Sequence, residues 1–172
     1  MREPYALPVA MRPFPVLLFA LCLLAPSAHA RDSLGVFGRW GAFRDAQVPR
    51  CYAIAQPTRA SAGAARWNPF ATVSHWPKRG VRGQFHARLS REVDPKATVY
   101  LSIGERRFAL TSGRADAWSQ DRQMDAAIVA AMRSSPTMSI EGKGRGNRRF
   151  SDLYVLSGAA TALDAAALGC AR

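Results

Sequence analysis

The stretch Val99-Tyr100-Leu101-Ser102-Ile103-Gly104-Glu105-Arg106-Arg107-Phe108-Ala109-Leu110 decides the fold class. Val99, Leu101 and Ile103 recur with period two, so an extended chain places all three on one face. Gly104-Glu105 suits a two-residue hairpin turn, because glycine accepts the positive φ that such turns require. Phe108 and Leu110 continue the pattern on the way back. The segment reads as a β-hairpin with one buried face.

The same rhythm recurs on both sides of this hairpin. Upstream of the Asp94-Pro95 turn, Phe85, Ala87 and Leu89 face one way, and Gln84, His86, Arg88 and Ser90 the other. Further back, Val36 to Phe43 carries Phe37, Trp40 and Phe43, and a second strand after Pro49 carries Cys51, Tyr52 and Ile54. Residues 58–69, rich in Ala, Ser, Gly and Arg, read as an irregular connection. Downstream, Met138 and Ile140 lead into Gly142-Lys143-Gly144-Arg145-Gly146-Asn147, a glycine-rich hairpin tip. Phe150 to Leu156 returns with apolar residues on both faces, which marks a strand central in its sheet.

Two segments change period. From about Asp121 to Arg133, Met124, Ala127, Ile128, Ala131 and Met132 form a stripe at helical spacing. Ser119 is placed to cap this helix, with Asp121 and Asp125 early and Arg133 late, as the helix dipole favours. A second helix spans roughly residues 159–170, where Leu163, Ala167 and Cys170 follow at i, i+4 and i+7. The expected fold is mainly β: about seven strands in an antiparallel β-sandwich or partial barrel, with two short α-helices, one at the C-terminus.

Residues 1–30 read as a secretory signal peptide rather than as fold. Arg2 and Arg12 are basic, the run from Val16 to Ala25 is apolar, and Ala28-His29-Ala30 supplies the small residues at a cleavage site. The apolar run holds about ten residues, against roughly twenty for a membrane-spanning helix. Residues 31–172 then form one β-rich domain without a transmembrane anchor, periplasmic or secreted. Loss of Arg2, Arg12 and Glu3 reduces the 24 basic and 12 acidic residues of the chain to 22 and 11, a net charge of +11.

Cleavage also removes Cys22, leaving Cys51 and Cys170 as a pair. An oxidising compartment joins such a pair. On the terminal helix, Cys170 shares a face with Leu163, so packing that face on the sheet aims its sulfur inward, toward Cys51.

No constellation specifies a reaction, and the expectation is a non-enzymatic protein without cofactor or metal. His75 precedes Trp76-Pro77 in loop-like sequence, and His86 lies on a polar strand face; neither has a partner at metal-ligand spacing. No Gly-x-Ser-x-Gly elbow is present. The Gly142-x-Gly-x-Gly run leads into a strand, without the helix N-terminus that a phosphate loop uses. The alternatives are a hydrolase-type enzyme with a site assembled around His75 or His86, and a structural or adhesin-like subunit. Charge is the one compositional signal of function. Lys78, Arg79 and Arg82 cluster before one strand, Lys143, Arg145, Arg148 and Arg149 cluster at the glycine-rich tip, and Arg88 extends a polar face. These are the candidate anion-binding residues. For an exported protein the partners would be anionic lipid, lipopolysaccharide or an envelope protein rather than nucleic acid.

The 31–172 region also resembles the invasion-associated locus B family of Gram-negative bacteria. The resemblance is carried in order by Phe37-Gly38-Arg39-Trp40, by Arg50-Cys51-Tyr52-Ala53-Ile54-Ala55-Gln56-Pro57, and by the hairpin from Val99 to Leu110. Trp118 and Ile128-Val129-Ala130-Ala131-Met132-Arg133 follow, then Met138-Ser139-Ile140, Tyr154-Val155-Leu156-Ser157-Gly158, Ala162-Leu163 and Cys170. It implies a periplasmic or secreted β-rich protein of the cell envelope, linked in some bacteria to host-cell invasion. It carries over no catalytic residues. This sequence departs from the better-known members, which look longer in the middle and have a further cysteine pair.

Overall fold

The structure, a computed structural model, describes residues 31–61 and 63–171, so the signal-peptide reading of residues 1–30 lies outside the described residues. In chain order the elements are β1 (Asp32–Phe37), β2 (Trp40–Asp45), β3 (Arg50–Ala55), β4 (Phe70–Trp76), β5 (Val81–Arg88), β6 (Val99–Ile103), β7 (Arg106–Gly113) and β8 (Asp116–Trp118). Then follow α1 (Arg122–Ser134), β9 (Thr137–Gly144), β10 (Arg148–Val155) and α2 (Ala159–Gly169).

The Val99 to Leu110 hairpin is β6–β7. Ile103 pairs with Arg106 across a two-residue turn whose Gly104 has φ 56°, and Val99, Leu101, Ile103, Phe108 and Leu110 are buried. Its neighbours extend it into one sheet of ten strands, in the order β1-β2-β3-β4-β5-β8-β7-β6-β9-β10, every pair antiparallel. The mainly β architecture with a C-terminal helix is therefore present. The strands outnumber the seven expected. The stretch from Val36 to Phe43 is two strands joined at Gly38-Arg39, and Phe70–Trp76 and Asp116–Trp118 are strands that the pattern did not reveal.

The sheet curls far enough for its last strand to meet the segment that leaves β3. The Thr58 amide donates to the Leu153 carbonyl at 2.7 Å, the Leu153 amide to the Arg59 carbonyl at 2.8 Å, and the Ser151 amide to Ser61 Oγ at 3.0 Å. Of the two architectures expected, this is the partial barrel. β10 is consequently a terminal strand, not a central one. Phe150, Asp152 and Tyr154 are buried on one face, whereas Leu153 and Val155 are only half-buried against the covering segment and Trp40.

The concave face carries the core. Small residues Ala42, Ala53, Ala55 and Ala71 line the sheet where α2 lies across β1 to β4, and α2 answers with Ala159, Ala162, Leu163 and Ala166. Alanine facing alanine lets backbone approach backbone, so these fully packed positions bury area through proximity rather than bulk. Ala167, expected on that face, is only half-buried. Cys170 caps the helix and is bonded to Cys51, with Cα atoms 5.6 Å apart. α1 packs on β5, β6 and β7. Its cap is Asp121, whose carboxylate accepts from the Met124 amide at 2.7 Å, not Ser119. The Ser119 hydroxyl bonds instead to buried Asp125, which also accepts the Phe85 amide at 2.7 Å and so pins α1 to β5.

Two of the motifs that carried the resemblance meet in space. The Gly38 turn touches Ser157-Gly158, and Trp40 Nε1 donates to the Val155 carbonyl at 3.0 Å. A buried indole N–H needs such a partner, and the paired glycines let the two backbones touch.

Candidate functional site

The β9–β10 hairpin lifts four basic residues on a tip formed by Arg145–Asn147. Pairing of Lys143 with Arg149 puts their side chains together on the outer face of the sheet, and the alternation sends Arg148 the other way. Arg145 Nε reaches back to Glu92 at 2.8 Å. Two of the tip cations, Lys143 and Arg149, therefore remain side by side.

They line an open cleft of about 870 Å³. Its other walls come from the segment before β6, with Asp94, Lys96 and Thr98, and from the outer face of the β6–β7 hairpin, with Tyr100 and Arg107. The Arg107 guanidinium lies over the Tyr100 ring, 3.9 Å from its centroid, a cation–π contact that holds the charge in place. Lys96, Arg107, Lys143 and Arg149 face two carboxylates, and both are engaged. Asp94 accepts the Lys96 amide at 2.9 Å, while Glu141 accepts the Ser139 and Ser151 hydroxyls at 3.2 and 3.4 Å. With four cations against two carboxylates the cleft carries a surplus of positive charge, and among the described residues none of the four is in an ion pair. Lys96, Tyr100 and Arg107 were not foreseen as site residues; only strand register brings them beside the tip.

The remaining candidates lie elsewhere. Lys78 and Arg79 occupy an exposed 3₁₀ turn between β4 and β5, with Arg79 over the Trp76 ring at 4.9 Å, and exposed Arg82 follows in β5. Through the antiparallel registers from β5 to β9, this turn and the β9–β10 tip fall at opposite ends of the strands, so the two basic clusters are not one patch. Arg88 Nε is 2.6 Å from Asp116 Oδ1 and its charge is locally balanced.

The histidines have defined surroundings. His75 is not in a loop but in β4, opposite Cys51. Burial, aided by the charge of Arg82, holds its pKa below the usual 6.5. His86 Nε2 is 2.9 Å from Asp116 Oδ1, and the ring is stacked on Trp118 at 5.3 Å with the edge of Phe70 at 5.5 Å. Burial lowers its pKa as well, against the opposing pull of Asp116. A carboxylate is thus within reach of His86, but neither the large cleft nor a smaller one of about 330 Å³ beside α1 includes either histidine. Among the described residues no group of three or more His, Cys, Asp or Glu side chains is gathered to hold a metal ion. No helix of the described residues is long and apolar enough to cross a membrane.

No protein-family model matches this chain, and neither does any curated protein. In fold it is similar to the crystal structure of invasion associated protein B from Bartonella henselae. The TM-score is 0.58 at 14% sequence identity, with 80% of this chain and 98% of that one covered. At that identity the likeness is one of fold.

Proposed function

We propose that this chain is an exported, non-enzymatic protein of the bacterial envelope that holds an anionic envelope component in the cleft beside the β9–β10 tip. The observation that carries the reading is the convergence of Lys96, Arg107, Lys143 and Arg149 from separate segments, four cations against the two carboxylates Asp94 and Glu141. An open, solvated cleft of like charge concentrates anions and speeds their capture. Two further features support an envelope setting: the signal-like leader with its single remaining cysteine pair, and a fold shared with a protein called invasion associated protein B.

The His86–Asp116 pair is the feature that favours a hydrolase instead. Against it, the imidazole is flanked by Phe70 and Trp118 and lines neither cleft. In the binding reading His86 is a neutral packing group.

The test is binding of the oxidised domain to lipopolysaccharide and to phosphatidylglycerol vesicles, before and after Lys143→Gln with Arg149→Gln. Each cation near an anionic surface contributes about 1 kcal/mol, so the double variant should bind roughly thirty-fold more weakly and with a flatter salt dependence. Unchanged affinity for both probes would remove the cleft from the reading.

A further inference from the structure

Outside the cleft, the outer face of β5, β8 and β7 presents a second arrangement that packing does not explain. Trp118 is one of the few large apolar side chains left exposed, at 37%. One side of its indole is stacked on His86, which is itself wedged by Phe70. Toward β7 its neighbours are Thr111 and Gly113, and a Cβ on Gly113 would already come within 4.0 Å of the indole. The indole thus stacks on the imidazole on one side and passes close to the small residues of β7, with the rest of its surface open to solvent.

Beside the indole lies an incomplete polar pair. Asp116 Oδ1 serves both His86 Nε2 and Arg88 Nε, at 2.9 and 2.6 Å. Asp116 Oδ2 and the two terminal nitrogens of Arg88 have no hydrogen-bond partner among the described residues. Asp116 and Arg88 are directly paired across β8 and β5, and both side chains are partly open to solvent, at 19% and 38%. An acceptor and a fork of donors thus stand next to each other on rigid strands.

We propose that Trp118, Asp116 and Arg88 form a binding platform for a neutral saccharide. A pyranose ring has an apolar C–H face that matches an exposed indole, and adjacent hydroxyls that both donate and accept. One hydroxyl donates to Asp116 Oδ2 while its neighbour accepts from Arg88. Neither group alone selects a sugar; the selection lies in having the ring and the donor–acceptor pair within one strand spacing of each other. His86 acts as a positioning residue, through its stack on Trp118 and its bond to Asp116. The platform shares the outer face of the sheet with the cationic cleft but stands about two strand spacings, roughly 10 Å, from the β6 wall of that cleft. It needs no charge on the ligand, so it does not depend on the cleft reading.

The experiment is a titration of the ¹⁵N-labelled oxidised domain with methyl β-glucopyranoside, methyl β-galactopyranoside and the disaccharide of N-acetylglucosamine, each to tens of millimolar. The Trp118 indole signal is assigned by its loss in Trp118→Phe. At least one sugar should shift that signal and the Arg88 side-chain signal saturably. Trp118→Ala should weaken binding by roughly ten-fold or more, and Lys143→Gln with Arg149→Gln should leave it unchanged. The shifts in the unmutated domain need no variant to fold, so they stand as a test on their own. Absence of any saturable shift at Trp118 would overturn the platform, as would shifts that survive Trp118→Ala or that vanish only with the cleft variant.

Discussion

Replacing Gly158 by alanine tests the closure of the fold at one atom. Gly158 has φ 86°, and a Cβ there would stand 2.0 Å from the Phe37 carbonyl oxygen and 2.5 Å from its carbon. Both obstacles are backbone, so no side-chain rotation relieves them. The left-handed conformation alone costs an L-residue about 1 kcal/mol or somewhat more. Relief of the clash must also move the Gly38 turn away from Ser157-Gly158, which stretches the bond from Trp40 Nε1 to the Val155 carbonyl. Loss of that bond adds about 1 kcal/mol, and looser packing around the fully buried Trp40 adds a further 1–3 kcal/mol or so. The total is about 3–5 kcal/mol, a large share of the 5–15 kcal/mol typical of a domain, and at about 3 °C per kcal/mol it lowers Tm by roughly 10–15 °C. Gly146 supplies the control. Its φ is similar, 71°, but nothing lies within 4 Å of its Cβ position, so Gly146→Ala should cost only about 1 kcal/mol. Both variants are compared by thermal and denaturant melts of the oxidised domain. Equal losses, within about 0.5 kcal/mol, would refute the reasoning, because conformational strain would then account for everything and the contact for nothing.

Reduction of the disulfide should lower the denaturant midpoint sharply. The bond spans 119 residues, and the chain-entropy model gives about 5 kcal/mol for a loop of that length, an upper figure; a melt indifferent to reductant would contradict it. Stability should also fall with acid. His75 and His86 have folded pKa values below 6.5, so the unfolded chain binds protons first and ΔG declines as pH drops through 6.5 toward the folded values. The slope is at most about 1.4 kcal/mol per pH unit per histidine. Melts between pH 8 and 5 should show this decline, and His86→Gln should remove its share; a flat profile would show that neither ring is held neutral.

The hairpin from Val99 to Leu110, the glycine-rich tip and both helices were legible because each carries a strong local signal: an unbroken period of two, a glycine at a turn, or a stripe at helical spacing. The disulfide was legible because residues 31–172 hold only two cysteines and one of them ends α2, packed against the core. Phe70–Trp76 was not. Its inward residues are Ala71 and Val73, and its outward Thr72 and Ser74 are buried as well, so no contrast of polarity marks the strand. Without that strand, His75 had no place opposite Cys51. Val36 to Phe43 hid a turn because Gly38-Arg39 interrupts an otherwise apolar run. β10 looked central because Leu153 and Val155 are apolar, yet what covers them is the segment after β3 and Trp40, a closure that depends on how far the sheet curls.

The candidate site was legible only in part. Local clustering of charge identified Lys143 and Arg149, but it equally identified Lys78, Arg79 and Arg82 at the other end of the strands, and Arg88, which Asp116 neutralises. Lys96 is an isolated cation and Arg107 belongs to the Arg106-Arg107 pair after a hairpin turn, and both join the cleft only through the pairing of β6 with β7 and β9. The same holds for Asp116 and Trp118, nearly thirty residues or more from Arg88 and His86 but their direct partners across the sheet. Charge composition reports that cations exist; register decides which of them stand together.

The most direct test of the binding reading is a residue-resolved map of contact with phosphatidylglycerol vesicles, by NMR of the oxidised domain at low and high salt. Contact should concentrate at Lys96, Arg107, Lys143 and Arg149 and fade as salt rises. Contact centred on Lys78, Arg79 and Arg82, or spread evenly over every exposed cation, would contradict it.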